Sequence, residues 1–109
     1  MIRSSGIVLM SCTALVLMAA GSSGASDSKK GEALFKEHCA ACHPDGGNII
    51  NPKKTLKKSD LRANNIKSKN DIVAIMRKPG PGMLKFDEKT ISGHDAEEIA
   101  EFILKKFEK

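Results

Sequence analysis

A chain of 109 residues with 18 Lys and Arg, 13 Asp and Glu and a formal net charge of +5 has room for one small domain. Its basic residues are not interleaved with aromatics, and it has no Trp or Tyr, which excludes nucleic acid as the expected partner. Four phenylalanines are its only large aromatic side chains, so the core is poor in bulk and asks for a staple, a metal or a cofactor.

The chain opens on what reads as a leader. Arg3 supplies a positive start, and Ile7 to Ala20 form an apolar run broken mildly by Ser11, Cys12 and Thr13. Ser23 and Ala25 offer the small residues of a cleavage site. The run is shorter than the roughly 20 residues that span a bilayer. The pattern predicts a cleavable secretory signal peptide over 1–25 and one exported domain over 26–109, placed in the periplasm. Leu9-Met10-Ser11-Cys12 superficially resembles a lipoprotein cleavage box, but the hydrophobic run continues beyond Cys12, the wrong order for one. Membrane contact is expected only if the leader is retained or Cys12 is lipidated.

The first helix is expected from about Lys29 to His38, capped by Asp27 or Ser28, with Gly31, Ala33, Leu34 and Phe35 on a mixed apolar face. It ends in Cys39-Ala40-Ala41-Cys42-His43, two thiols three positions apart with a histidine directly after them. This is the attachment signature of c-type haem: the thiols can each add to one vinyl group, and the imidazole can reach the iron. A redox dithiol would want a βαβ setting, which the sequence lacks. A zinc site would need a second ligand pair, and the remaining Cys12 and His94 do not form one. His38 fits a surface or supporting position better than a ligand.

Pro44-Asp45-Gly46-Gly47-Asn48 signals a turn, and Ile49-Ile50-Asn51-Pro52 is too short for a strand. A ligating imidazole should donate its other ring N–H to a backbone carbonyl, expected in the 48–52 loop. Leu56, Leu61 and Ile66 anchor the next segment, with a short helix from Ser59 or Asp60 to Asn64-Asn65. Ser68 and Asp71 then form a variant capping box, and Ile72, Ile75 and Met76 share a face before Pro79-Gly80 ends the helix.

Pro79-Gly80-Pro81-Gly82-Met83 is a rigid loop, poor in side chains, that can bring a thioether to a flat cofactor. Met76 falls among aliphatics at helical spacing and reads as core. Met83 reads as the iron's second axial ligand, with gap-filling as the alternative. His/Met ligation raises the reduction potential relative to two histidines and closes the sixth position to oxygen or peroxide. The last helix starts at Ser92 as N-cap, with Asp95, Glu97 and Glu98 near its positive end. Its face is Ala96, Ile99, Ala100, Ile103 and Phe107, flanked by Phe102 and Leu104; His94 stands exposed in the first turn. The fold class is therefore all-α, with four to five short helices.

These motifs together resemble class I cytochromes c. The run Gly-Gly-Asn-Ile-Ile-Asn-Pro-Lys-Lys-Thr-Leu after the haem motif is similar to the small branch called cytochrome c-six. The resemblance implies one covalent haem c with iron, thioether links at Cys39 and Cys42, His43 as proximal ligand and Met83 as distal ligand. It also implies that the first helix crosses the last, with Gly31 and Phe35 near Phe102. Two positions depart from the family: Leu84-Lys85-Phe86 stands where Pro-Ala-Phe usually follows the ligand methionine, and Ile75 where photosynthetic members often carry Gln. Both bear on the potential, and neither removes a ligand. The Pro-Gly-Pro-Gly-Met loop looks more like cytochromes of respiring or metal-reducing bacteria.

The expected function is a monomeric one-electron carrier between extracytoplasmic respiratory partners, and not an enzyme. Lys53, Lys54, Lys57, Lys58, Lys67, Lys69, Lys78 and Lys85 make either a solvated surface or a cationic face that steers a redox protein with an acidic docking face. The alternative is a haem-based gas sensor or peroxidase-like protein with a labile sixth ligand.

Overall fold

A computed structural model describes residues 24–108, with side chains from Lys29 onward. Most of the expected leader lies outside the described residues. Those described form α1 (Gly24–His38), a one-turn 3-10 helix (Pro44–Gly46), α2 (Lys58–Ala63), α3 (Lys69–Arg77) and α4 (Gly93–Lys106), with no strand among them. The all-α expectation stands.

α1 begins at Gly24 rather than Lys29, so Asp27 and Ser28 lie inside it instead of capping it. An acidic residue near the positive end of the helix dipole is compatible with that extension. Ala33 faces solvent, leaving Gly31 and Phe35 as the buried stripe. α2 starts at Lys58, one position early and without a side-chain cap. Asp60 accepts instead from the Thr55 hydroxyl, which fixes the chain entering the helix.

Caps on the other two helices follow the expected chemistry. Ser68 Oγ accepts from Asp71 N–H, and the Asp71 carboxylate accepts from Ser68 N–H, a complete capping box for α3. Ser92 Oγ accepts from Asp95 N–H at the start of α4.

The core forms where α1 and α3 pack on α4. Ala96, Ile99, Ala100 and Ile103 of α4 are buried with Phe35, Leu61, Ile72, Met76 and Ile91. Met76 is core, as its spacing suggests. A Cβ on Gly31 would run into the Glu98 carbonyl oxygen and sit 3.0 Å from Phe102 Cβ, so the missing side chain is what lets α1 and α4 cross closely. Beside that crossing, the Phe35 ring lies 5.3 Å from Phe102 and 5.5 Å from Phe107. His94 is exposed but not isolated. Its Nε2 lies 3.2 Å from Oε1 of Glu98, whose side chain is only 7% exposed.

Candidate haem site

The end of α1 shapes the first wall of the site. Cys39 N–H and Ala40 N–H both donate to Phe35 O, four and five residues back, so the last turn of the helix widens as it stops. Cys39 O then accepts from Cys42 N–H at 3.2 Å and from His43 N–H at 2.9 Å. One turn therefore sets the spacing of the two thiols and the imidazole. Both cysteines are free thiols and half-buried. Burial, with a smaller contribution from Cys42, pushes the Cys39 thiol up from 9.0 to about 11.

His43 is held by the turn that follows. Asp45 (φ 52) and Gly46 (φ 78) adopt left-handed backbone, which curls the chain back under the imidazole. Nδ1 of His43 lies 2.7 Å from Gly47 O. A carbonyl only accepts, so Nδ1 carries the proton and the Nε2 lone pair is left for a metal. The acceptor sits one residue before the expected 48–52 stretch, because the left-handed pair turns the chain sooner than an open loop would.

Asn48 closes the next segment. Its Oδ1 accepts from Ile50 N–H and Asn51 N–H, and its Nδ2 donates to Lys54 O. Leu56 N–H donates back to Gly46 O at 2.7 Å, so the loop is stitched across its base. Sequence reasoning marked Asn48 only as a turn residue; its Gly-Gly-Asn setting was the available signal.

The opposite wall is the loop after α3. Met83 N–H donates to Gly80 O, with Pro81 and Gly82 (φ 89) at the centre of the turn, the signature of a type II turn. A Cβ on Gly82 would lie 3.2 Å from Ile50 Cγ2, so the two loops meet at the rim. Phe86 N–H donates to Met76 O, and Arg77 Nη1 donates to Phe86 O and Ile91 O. Nothing in the sequence pattern marked Arg77.

Between these walls lies a cavity of about 350 Å³ that brings Cys39, Cys42, His43 and Met83 together. Its sides are largely aliphatic, with Leu61, Ile72, Met76 and Ile103 among them. Ile75 lines it too and keeps that wall apolar. His38 lies on the wall, its side chain 20% exposed and its ring edge-on to Phe86. Asn48, Asn51, Lys54, Thr55 and Asn64 supply the polar part, and among the described residues no carboxylate lines the cavity. Two thiols, an imidazole and a thioether around an apolar space with a cationic and amide edge suit an iron porphyrin that carries acidic side arms. The described residues contain no cluster of three or more His, Cys, Asp or Glu that could hold a bare metal ion. No described helix is long and apolar enough to cross a membrane.

The family described as cytochrome C oxidase, cbb3-type, subunit III, matches residues 26–103. Cytochrome c6 of Synechocystis sp. is 42% identical over 87 residues, covering 78% of this chain and 70% of its own. That of Cyanidium caldarium is 40% identical over 79 residues, covering 72% and 71%. Among solved structures, the outer membrane cytochrome OmcF of Geobacter sulfurreducens is 45% identical with a TM-score of 0.69, over 71% of this chain and 98% of its own. The PsbV2 cytochrome of Thermosynechococcus elongatus is 28% identical with a TM-score of 0.70, over 73% and 69%. Helical fold, apolar cavity and these relatives agree: the chain belongs to the small monohaem class I cytochromes c, electron carriers rather than enzymes, with one covalently bound haem c as cofactor.

Proposed function

We propose that Cys39 and Cys42 hold the haem by thioether links and that His43 and Met83 ligate its iron. We further propose that the chain is exported, with 1–25 as its cleaved leader and 26–109 as the working domain, to carry single electrons between extracytoplasmic respiratory partners as a monomer. The observation that carries this reading is the shared cavity: His43, its Nδ1 occupied by Gly47 O, and Met83 both line it. The bound haem supplies a reversible ferrous–ferric change. The protein supplies everything around that change.

Gly47 holds the imidazole in one tautomer, and the Pro81–Gly82 turn holds Met83, so neither donor has to reorganise when charge changes. The walls are mostly apolar, and a Met83 thioether on the iron would leave no place for oxygen or peroxide. Among the described residues, Ile49, Ile50 and Leu84 are the exposed large hydrophobics, at 64%, 58% and 72%. Ile50 and Leu84 line the cavity, with exposed Lys54 beside Ile50 and exposed Lys85 next to Leu84 in the chain. This combination suits a partner that presents acidic groups around a small apolar contact. The Pro-Gly-Pro-Gly-Met loop, which looks more like cytochromes of respiring or metal-reducing bacteria, supports a respiratory setting over a photosynthetic one.

The test is an optical spectrum, oxidised and reduced, of protein exported with its haem, beside Met83→Ala. The wild type should show the weak red band of Met–iron ligation when oxidised, lose it on reduction and exclude carbon monoxide. Met83→Ala should lack the band and bind carbon monoxide when reduced. A wild type without the band, and open to carbon monoxide, would instead fit a gas sensor or peroxidase-like protein.

A further inference from the structure

We propose that Arg77 is a positioning residue for Met83, locking the loop that presents the thioether; this rests on the reading of Met83 as iron ligand. The loop leaves and rejoins the same turn of α3. Lys78 N–H donates to Ala74 O at its entry, and Phe86 N–H donates to Met76 O at its exit. Between those ties stand two prolines, two glycines and the Pro81–Gly82 turn, with one weak internal bond, Met83 N–H to Gly80 O at 3.4 Å. Pro79 and Pro81 have no N–H to donate, so beyond the Gly80–Met83 turn the loop has no described backbone bond of its own. Its conformation depends on how firmly its ends are fixed.

Arg77 doubles the exit tie. Its Nη1 donates to Phe86 O at 3.1 Å and to Ile91 O at 2.8 Å, and it comes from the last residue of α3. Phe86 is thereby held through both its N–H and its carbonyl. Ile91, 1% exposed, anchors the pair to the core, and its carbonyl has no other backbone donor among the described bonds. Phe86 also presents its ring to His38 on the α1 side of the cavity. One guanidinium nitrogen thus fastens the Met83 loop, the approach to α4 and the wall facing the thiols to a single point.

Without those donors, the carbonyls of half-buried Phe86 and buried Ile91 lose this partner, and the segment after Met83 is held only by Phe86 N–H on Met76 O while α1, α3 and α4 stay packed. The expected result is a ligand that leaves iron before the protein unfolds. The experiment follows the red band and the helical circular dichroism together with temperature, in haem-loaded wild type, Arg77→Met and Arg77→Lys, with Met83→Ala as the reference without the thioether. Carbon monoxide binding by the reduced forms is measured alongside.

In Arg77→Met the band should fade well before the helical signal, with a Met-off population raised roughly tenfold, equivalent to about 1.4 kcal/mol. Carbon monoxide should then trap that population. Arg77→Lys, which keeps an N–H donor and the charge, should recover part of the difference. If band and helical signal are lost together in Arg77→Met, and carbon monoxide stays excluded as in wild type, Arg77 only supports the fold and the proposal is overturned. Should Arg77→Met not fold, the same comparison in Arg77→Lys decides. A wild type that already matches Met83→Ala would remove the ligation reading, and this proposal with it.

Discussion

Gly31 shows how much one absent methyl can decide. Its neighbours across the crossing are the Glu98 backbone and Phe102 Cβ, neither of which can rotate away. Gly31→Ala should therefore force α1 off α4 and lower stability by about 1–3 kcal/mol. Thermal unfolding of the haem-loaded protein would measure it, and the loss should exceed that for Ala at exposed Lys36 of the same helix. A Gly31→Ala protein as stable as wild type would mean that the helices do not meet as described. Gly46 is similarly confined, since a Cβ there would lie 2.5 Å from Phe107 Cδ1.

Among the helices, α3 bears most directly on the site, because its end carries Met76, Arg77 and the start of the Met83 loop. The capping box at its other end is a separate source of order. Ser68→Ala should cost about 1 kcal/mol, read from denaturant unfolding. The box also has a pH signature. The Lys67 N–H, then the Ser68 hydroxyl, hold the Asp71 carboxyl below its ordinary 3.8. Its contribution is complete above that value and is lost as pH falls through the lower folded value, where the unfolded chain has already taken up its proton. Acid unfolding of Asp71→Asn should be flatter than that of wild type below pH about 4. Equal slopes would leave Asp71 without a part in acid stability.

Much of α3 was open to reading in advance, because caps and apolar spacing are local patterns. The Ser68–Asp71 box, the Ile72 and Met76 face and the stop at Pro79 all depend on neighbours within one or two turns. Arg77 was not readable in that way. Its acceptors are backbone carbonyls, Phe86 and Ile91, which any residue type could present. The Gly47 acceptor of His43 was missed by one position for a related reason: it depends on left-handed backbone at Asp45, a residue that only sometimes adopts it. The His94–Glu98 pair escaped notice because burial of Glu98 follows from the α1 crossing, not from α4 alone.

Across the surface, basic residues outnumber acidic ones, 18 to 13 in the full chain. Lys53, Lys54 and Lys78 take part in none of the ion pairs seen among the described residues, unlike Lys36 with Glu32 or Lys105 with Glu101. Exposed pairs of that kind add little to stability, so the unpaired lysines matter chiefly as a field. Electron transfer to an acidic redox protein should slow as ionic strength rises toward 0.1 M and beyond, where the screening length is about 10 Å. Stopped-flow rates over a salt series would show it. A rate independent of salt would leave the lysines as solubilising groups.

Phe107, at the end of α4, covers Gly46, packs on Phe35 and accepts from Lys58 N–H through its carbonyl. It thereby ties α2 and the turn behind His43 to the far end of the chain. Synthesis starts at the other end, so the two thiols and the imidazole exist well before Phe107 does. During that interval the motif belongs to an open chain, with its turn uncovered. Until Phe107 docks, the support beneath the imidazole is incomplete, so the order in which the two ends of the domain meet sets when that turn becomes firm.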